Sequence, residues 1–143
     1  MTVPERQDRI AHLESTAVRI GTEGGHPLVI PIGASTGLGS LGYVVASVEL
    51  FNQLDTLESS PERTVVFVAS SSCGTLAGLL LGISLLERDD VLLVGVSADM
   101  SSIEIEERAT QIAREGADLL GWGGNLLTEN IMVTDDQVGG GYG

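Results

Sequence analysis

The chain reads as an α/β protein built on a mostly parallel sheet. Short apolar runs alternate with longer segments of helical periodicity, which is the order of strand–helix–strand units. The runs PLVIPI, TVVFVA and VLLVGVS are almost continuously aliphatic, as strands buried on both faces are. Aromatic residues make up only 3% of the chain, so Val, Ile, Leu and Ala must build the core. Together these predict a sheet of about four strands with helices on both faces. The 143 residues suit one domain, residues 1–143, with no internal repeat and no clear linker.

Each element has its own signal. Pro4 to Ile20 carries Ile10, Leu13, Ala17 and Ile20 at helical spacing, and Gly21, Gly24 and Gly25 should stop the helix. Pro27 to Ile32 reads as the first strand. Gly33 to Gly39 reads as a loop, and Leu41 to Leu54 as a second helix ending before the polar stretch Glu58 to Glu62. Thr64 to Ala69 is the next strand, and Thr75 to Leu86 its helix. Val91 to Ser97 is a third strand, Ile103 to Leu120 a helix with a charged outer face, and Asn130 to Thr134 a fourth strand. The glycine-rich end, Gly139 to Gly143, lacks an apolar anchor of its own.

Composition excludes several functions. Seven arginines and no lysine face twenty acids, for a net charge of −13. Nucleic-acid and anionic-membrane binders need the opposite balance. The acids read as a solvated surface, such as salt adaptation or a GC-rich genome produces. The N-terminus has no apolar signal core and no run is long enough to span a bilayer, so a cytoplasmic protein is expected. A single cysteine, Cys73, excludes an internal disulfide, and two distant histidines, His12 and His26, give no metal-ligand spacing.

Two motifs could carry chemistry. Gly37-Leu-Gly39-Ser-Leu-Gly42 matches GxGxxG, which would suit a dinucleotide-binding oxidoreductase. The strand that should end in a ribose-binding acid ends instead in Ala69 and Ser70, so close packing of the glycines is the better reading. Ser70-Ser-Ser-Cys-Gly-Thr75 lies between a strand and a helix N-terminus. Backbone N–H groups, hydroxyls and the helix dipole there could cradle a phosphate. It is not a Walker A loop, which needs a lysine. A plain strand-to-helix turn with Ser and Thr as caps explains the same residues, and both readings stay open at this point. Cys73 reads as a small residue filling a crowded loop rather than a nucleophile. Glu104, Glu106 and Glu107 read as a solvated helix face, and Trp122 as a packing anchor.

Several blocks, in order, resemble the D-cysteine desulfhydrase and 1-aminocyclopropane-1-carboxylate deaminase family of pyridoxal-phosphate enzymes. They are His26 to Val44 (HPLVIPIGASTGLGSLGYV), Val65 to Gly82 (VVFVASSSCGTLAGLLLG), Val91 to Asp99 (VLLVGVSAD) and Gly139 to Gly143 (GGGYG). The resemblance implies a partial tryptophan-synthase-β-like fold and a lyase or deaminase acting on a small amino acid. It implies pyridoxal 5'-phosphate, held by Ser72, Gly74 and Thr75 with backbone help from Ser71 and Cys73. It also places Tyr142 near the substrate, and the segment Gly33 to Gly39 (GASTGLG) along the domain cleft near the cofactor. Ser71 stands where the family has a glycine, and Leu76 where it has a polar residue. The family's Schiff-base lysine lies upstream in a Gly-Asn-Lys segment that has no counterpart here, and the family's C-terminal part is missing too. The chain therefore reads as a central fragment, inactive alone, with a missing complementary segment or a homo-oligomer as the expected partner. A non-catalytic remnant that binds a phosphate-bearing ligand is the alternative.

Overall fold

The computed structural model describes residues 6–57 and 62–140, the side chains of 6–8 excepted. They fall into two units divided after Ala34. The first carries helix α1 (Arg6–Thr22), which an exposed Arg19–Glu23 pair, 3.1 Å apart, braces near its end. The helix runs through Gly21 and stops only where Gly24 takes φ 85°. The expected strand Pro27 to Ile32 does not form: the segment is irregular and ends in a 3₁₀ turn, Ile32–Ala34. Pro27 and Pro31 each lack the N–H that a ladder needs. Leu28 is left 86% exposed.

The second unit is an open parallel sheet with helices stacked on one face. Its elements are α2 (Gly37–Asp55), β1 (Thr64–Ser70), α3 (Gly74–Leu85), β2 (Val91–Ser97), α4 (Ser102–Leu120) and β3 (Ile131–Thr134). The sheet has three strands in the order β1-β2-β3, with Val66 opposite Leu93 and Leu93 opposite Ile131. Strands β1, β2 and β3 and helices α3 and α4 lie close to the expected bounds. Helix α2 starts earlier than expected, at Gly37, because Thr36 Oγ1 accepts the Gly39 N–H at 3.1 Å and turns the glycine segment into a first helical turn.

Helices α3 and α4 pack on the sheet, and α2 packs on both helices. The core lies between these layers: Val68, Leu93 and Ile131 from the strands, Leu76, Leu80 and Ile83 from α3, Ile105 and Ile112 from α4. The opposite face was expected to carry helices too. Within this unit it is open: Val65, Phe67 and Met132 point away from the core and are half or more exposed. No helix among the described residues is long and apolar enough to cross a membrane.

Two glycines decide how close α2 and α3 come. A Cβ on Gly78 would overlap the Ser40 carbonyl oxygen and lie 2.6 Å from Tyr43 Cβ; one on Gly82 would lie 2.5 Å from Ser47 Cβ. Backbone and Cβ atoms cannot swing aside, so these positions admit only hydrogen. Gly42, on the same helix as Ser40, has open space around its missing Cβ. Beyond α3, Arg88 bonds Asp90 at 2.8 Å, pairs with Asp55 at 3.1 Å and lies 4.6 Å from the Phe51 ring centroid. The Arg88 hydrogen bond holds the Asp90 carboxyl below its ordinary range.

Gly42→Ala should stabilise the chain by about 0.5–1 kcal/mol through helix propensity. Gly78→Ala should lose about 1–3 kcal/mol, because overpacking outweighs the same propensity gain; urea unfolding reads both. Asp90 has a depressed pKa when folded, so its contribution is present above the unfolded value and lost as pH falls through the folded one. The stability gap between wild type and Asp90→Asn, about 1 kcal/mol at neutral pH, should close below about pH 4. A gap that persists at pH 2 would contradict this.

Candidate phosphate-binding loop

The loop Ser70 to Thr75 joins β1 to α3 at the carboxyl ends of the parallel strands, where open α/β sheets place their ligands. Gly95 lies below the start of α3: a Cβ there would come within 2.9 Å of Leu76 Cδ2. The glycine lets α3 begin close against the sheet. Cys73 takes the left-handed conformation, φ 71° and ψ −3°, as N-cap of α3. That costs a non-glycine residue roughly 1–2 kcal/mol. Its side chain is buried, as a residue filling a crowded loop should be.

The three helices of this unit treat their N-termini differently. Thr36 caps α2, and Glu115 accepts the Gly37 N–H at 3.3 Å. Ser101 and Glu104 form a capping box on α4, and Asp135 accepts the Ser102 N–H at 2.8 Å. At α3, Ser35 Oγ accepts the Gly74 N–H at 3.2 Å, and the Cys73 side chain caps nothing. Among the described residues, no side chain caps the N–H groups of Thr75 and Leu76.

The Thr75 N–H group, the positive end of the α3 dipole and the partly exposed hydroxyls of Ser72 and Thr75 make a donor set suited to a phosphate. Of the sequence-predicted residues, Ser72 and Thr75 fit best. Gly74 keeps its role as a close approach, since a Cβ would lie 2.8 Å from Ser35 Oγ, but its N–H is engaged. Ser71 faces elsewhere: its hydroxyl donates to Asp99 Oδ2 at 2.9 Å. Tyr142 lies outside the described residues.

Ser35, which touches the loop, lies in the Gly33 to Gly39 segment that the resemblance placed near the cofactor. The sequence did not mark two others. Asp99 is one, set by a turn in which the Asp99 and Met100 N–H groups donate to Ser97 Oγ at 3.3 and 3.1 Å. Arg108 on α4 is the other; its Nε donates to the Ser72 carbonyl at 3.3 Å. Asp99 could have been suspected from its place just past the end of β2, and Arg108 from being a cation among the acids of α4.

The other candidates take structural places. Gly37 packs against α4, where a Cβ would lie 2.7 Å from the Glu115 backbone, and β1 ends without a carboxylate. Trp122 packs at the rim of the core, Glu106 and Glu107 face solvent, and His12 and His26 are exposed. No cluster of metal-ligating side chains occurs among the described residues. Surface grooves of about 520 Å³ beside Val45, Val48 and Asn52, and about 600 Å³ beside Ile103, Glu107 and Thr110, do not include the loop.

The D-cysteine desulfhydrases of Salmonella typhi and Salmonella newport are each 35% identical to this chain over 136 residues. The match takes in 95% of this chain and 39% of each of those proteins. Among solved structures, one described as an ACC deaminase homologue superposes with a TM-score of 0.73 and 29% identity, over 93% of this chain and 39% of that one. No protein-family model matches the chain. The resemblance read from the sequence holds along nearly the whole chain, and the fold matches the part of the solved neighbour that the chain covers. The chain spans 39% of the length of the curated relatives it matches.

Removing the acceptor of the Ser71 hydroxyl should cost roughly 1–3 kcal/mol in Asp99→Ala, whereas Asp99→Asn, which keeps an acceptor, should cost less. Urea unfolding of the two variants checks the order, and equal losses would contradict a hydrogen-bonding role.

Proposed function

We propose that this chain forms the phosphate-holding part of a pyridoxal 5'-phosphate-dependent lyase or deaminase that acts on a small amino acid, as D-cysteine desulfhydrase does. One observation carries the reading. The α3 N-terminus, where the Cys73 side chain makes no cap, bears the Ser-Cys-Gly-Thr sequence, in a chain 35% identical to D-cysteine desulfhydrases over 95% of its length.

Ser72 and Thr75 donate their hydroxyls to the phosphate, and the Thr75 N–H group donates along the α3 axis. Gly74 allows the close approach. Ser71 and Cys73 shape the turn, and Tyr142 is assigned to the substrate side. When bound, the cofactor supplies an electron sink for breaking bonds at the substrate's α-carbon, so that ammonia and a 2-oxo acid leave, with sulfide if the substrate is D-cysteine. The amine that joins the cofactor covalently cannot come from these 143 residues, which include no lysine. The same absence favours, as a second reading, a chain that holds a phosphate-bearing ligand without catalysis.

Fluorescence titration with pyridoxal phosphate should show saturable binding. Ser72→Ala and Thr75→Val should each weaken it about tenfold or more, the value of one hydrogen bond to a charged group. The 143-residue chain alone should release no sulfide from D-cysteine. Absence of saturable binding would remove both readings; sulfide release by the chain alone would overturn the assignment of the amine to another segment.

A further inference from the structure

We infer that Arg108 and Ser35 are positioning residues that together hold Cys73 in its left-handed turn and so shape the phosphate loop. That the loop's ligand is a phosphate rests on the function proposed above. The clamp itself rests on geometry.

Cys73 adopts φ 71° and ψ −3°, a region that side-chain-bearing residues avoid because Cβ crowds the neighbouring carbonyl. Such a turn persists only where its surroundings fix it. The two angles describe how the peptide planes on either side of the Cys73 Cα are rotated, and each plane is rigid. The plane before Cys73 carries the Ser72 carbonyl, which accepts from Arg108 Nε at 3.3 Å. The plane after it carries the Gly74 N–H, which donates to Ser35 Oγ at 3.2 Å. Both planes are therefore tied by a side chain from outside the loop, and the second is held as well through the Cys73 carbonyl, which accepts the Ala77 N–H at 2.9 Å. Within the loop, the Cys73 thiol reaches the Ser71 carbonyl at 3.3 Å.

The anchors stand on a common base. Ser35 is buried just before α2, whose first residue, Gly37, packs on the Glu115–Gly116 backbone of α4, the helix that carries Arg108. Arg108 sits among Glu104, Glu106 and Glu107, yet Glu104 is engaged by Ser101 and the guanidinium reaches across to the loop. Because C=O and N–H of a trans peptide point opposite ways, drawing the Ser72 carbonyl toward α4 also sets the direction of the Cys73 N–H. Loss of Arg108 frees the first plane to rotate, and loss of Ser35 leaves the second on its Ala77 bond alone; either change loosens the register of the Ser72 and Thr75 hydroxyls.

Cys73 is the chain's one cysteine and only 3% exposed, so its alkylation by iodoacetamide reports opening of the loop without any ligand. Arg108→Leu and Ser35→Ala should each raise the alkylation rate about tenfold or more, by local opening. Arg108→Gln, which can still donate to the carbonyl, should stay within about threefold of wild type. Ile131→Ala, at the far end of the sheet, serves as a control of similar melting temperature and should leave the rate near wild type. Unchanged rates in both anchor variants, or equal acceleration in the control, would overturn the clamp. If Arg108→Leu does not fold, Ser35→Ala carries the comparison.

A second arm uses pyridoxal phosphate affinity. Glycine adopts φ 71° without strain, so Arg108→Leu should weaken binding about fivefold or more with Cys73 present, but less than about twofold beside Cys73→Gly. An arginine that merely attracted the phosphate would lose the same factor in both backgrounds, which would overturn the positioning role. If wild type binds no pyridoxal phosphate, the proposed function fails, and the alkylation rates still decide the clamp.

Discussion

The second unit depends on how closely α3 is held between the sheet and α2. Ten of its residues are buried, and four large aliphatic side chains, Leu76, Leu80, Leu81 and Ile83, are shut off from water entirely. Each contributes roughly 1.5–3 kcal/mol by burial. The contact with α2 is tight because Gly78 and Gly82 offer no Cβ, and Gly95 does the same service under Leu76. A helix fixed on two sides cannot slide or tilt. Its N-terminus is thereby fixed at the carboxyl ends of β1 and β2, and the loop before it has little freedom left.

Electrostatics then separate this helix end from the others. In a chain of net charge −13, the N-termini of α2 and α4 are met by the chain's own groups, Thr36 and Glu115 at one, Ser101, Glu104 and Asp135 at the other. At α3 the described residues supply hydroxyls and a tied-back Gly74 N–H, and among them no acid meets the helix N–H groups themselves. Asp99 stands close by and takes the Ser71 hydroxyl. The proposed phosphate loop is thus bounded by an acid on one strand end and an arginine on α4, which shape it without capping the donors that remain.

Much of this was legible in the sequence. Strands β1 and β2 announce themselves as aliphatic runs, and α3 by its length and its small residues; the loop between them is a pattern of hydroxyls and a glycine that local chemistry explains. The failures have physical causes. Pro27 and Pro31 deprive an apolar run of ladder donors, so it reads as a strand without being one. The glycines of Gly37 to Gly42 suggest a loop, yet one Thr36 cap and packing on α4 make them helical. A parallel sheet implies two covered faces, whereas within the second unit, which supplies helices to one face, Phe67 and Met132 stand exposed. Arg108 and Ser35 meet the loop from 36 and 39 residues away, a proximity that only the fold creates.

The central claim is that the α3 N-terminus and its hydroxyls bind phosphate. Two-dimensional ¹H–¹⁵N NMR of the labelled chain, titrated with pyridoxal phosphate and then with inorganic phosphate, tests it most directly. The account predicts saturable shifts for both ligands centred on the amides of Ser72 to Leu76, the Thr75 proton moving downfield as it gains a charged acceptor. Shifts centred elsewhere, or no saturable shift at these amides, would contradict it.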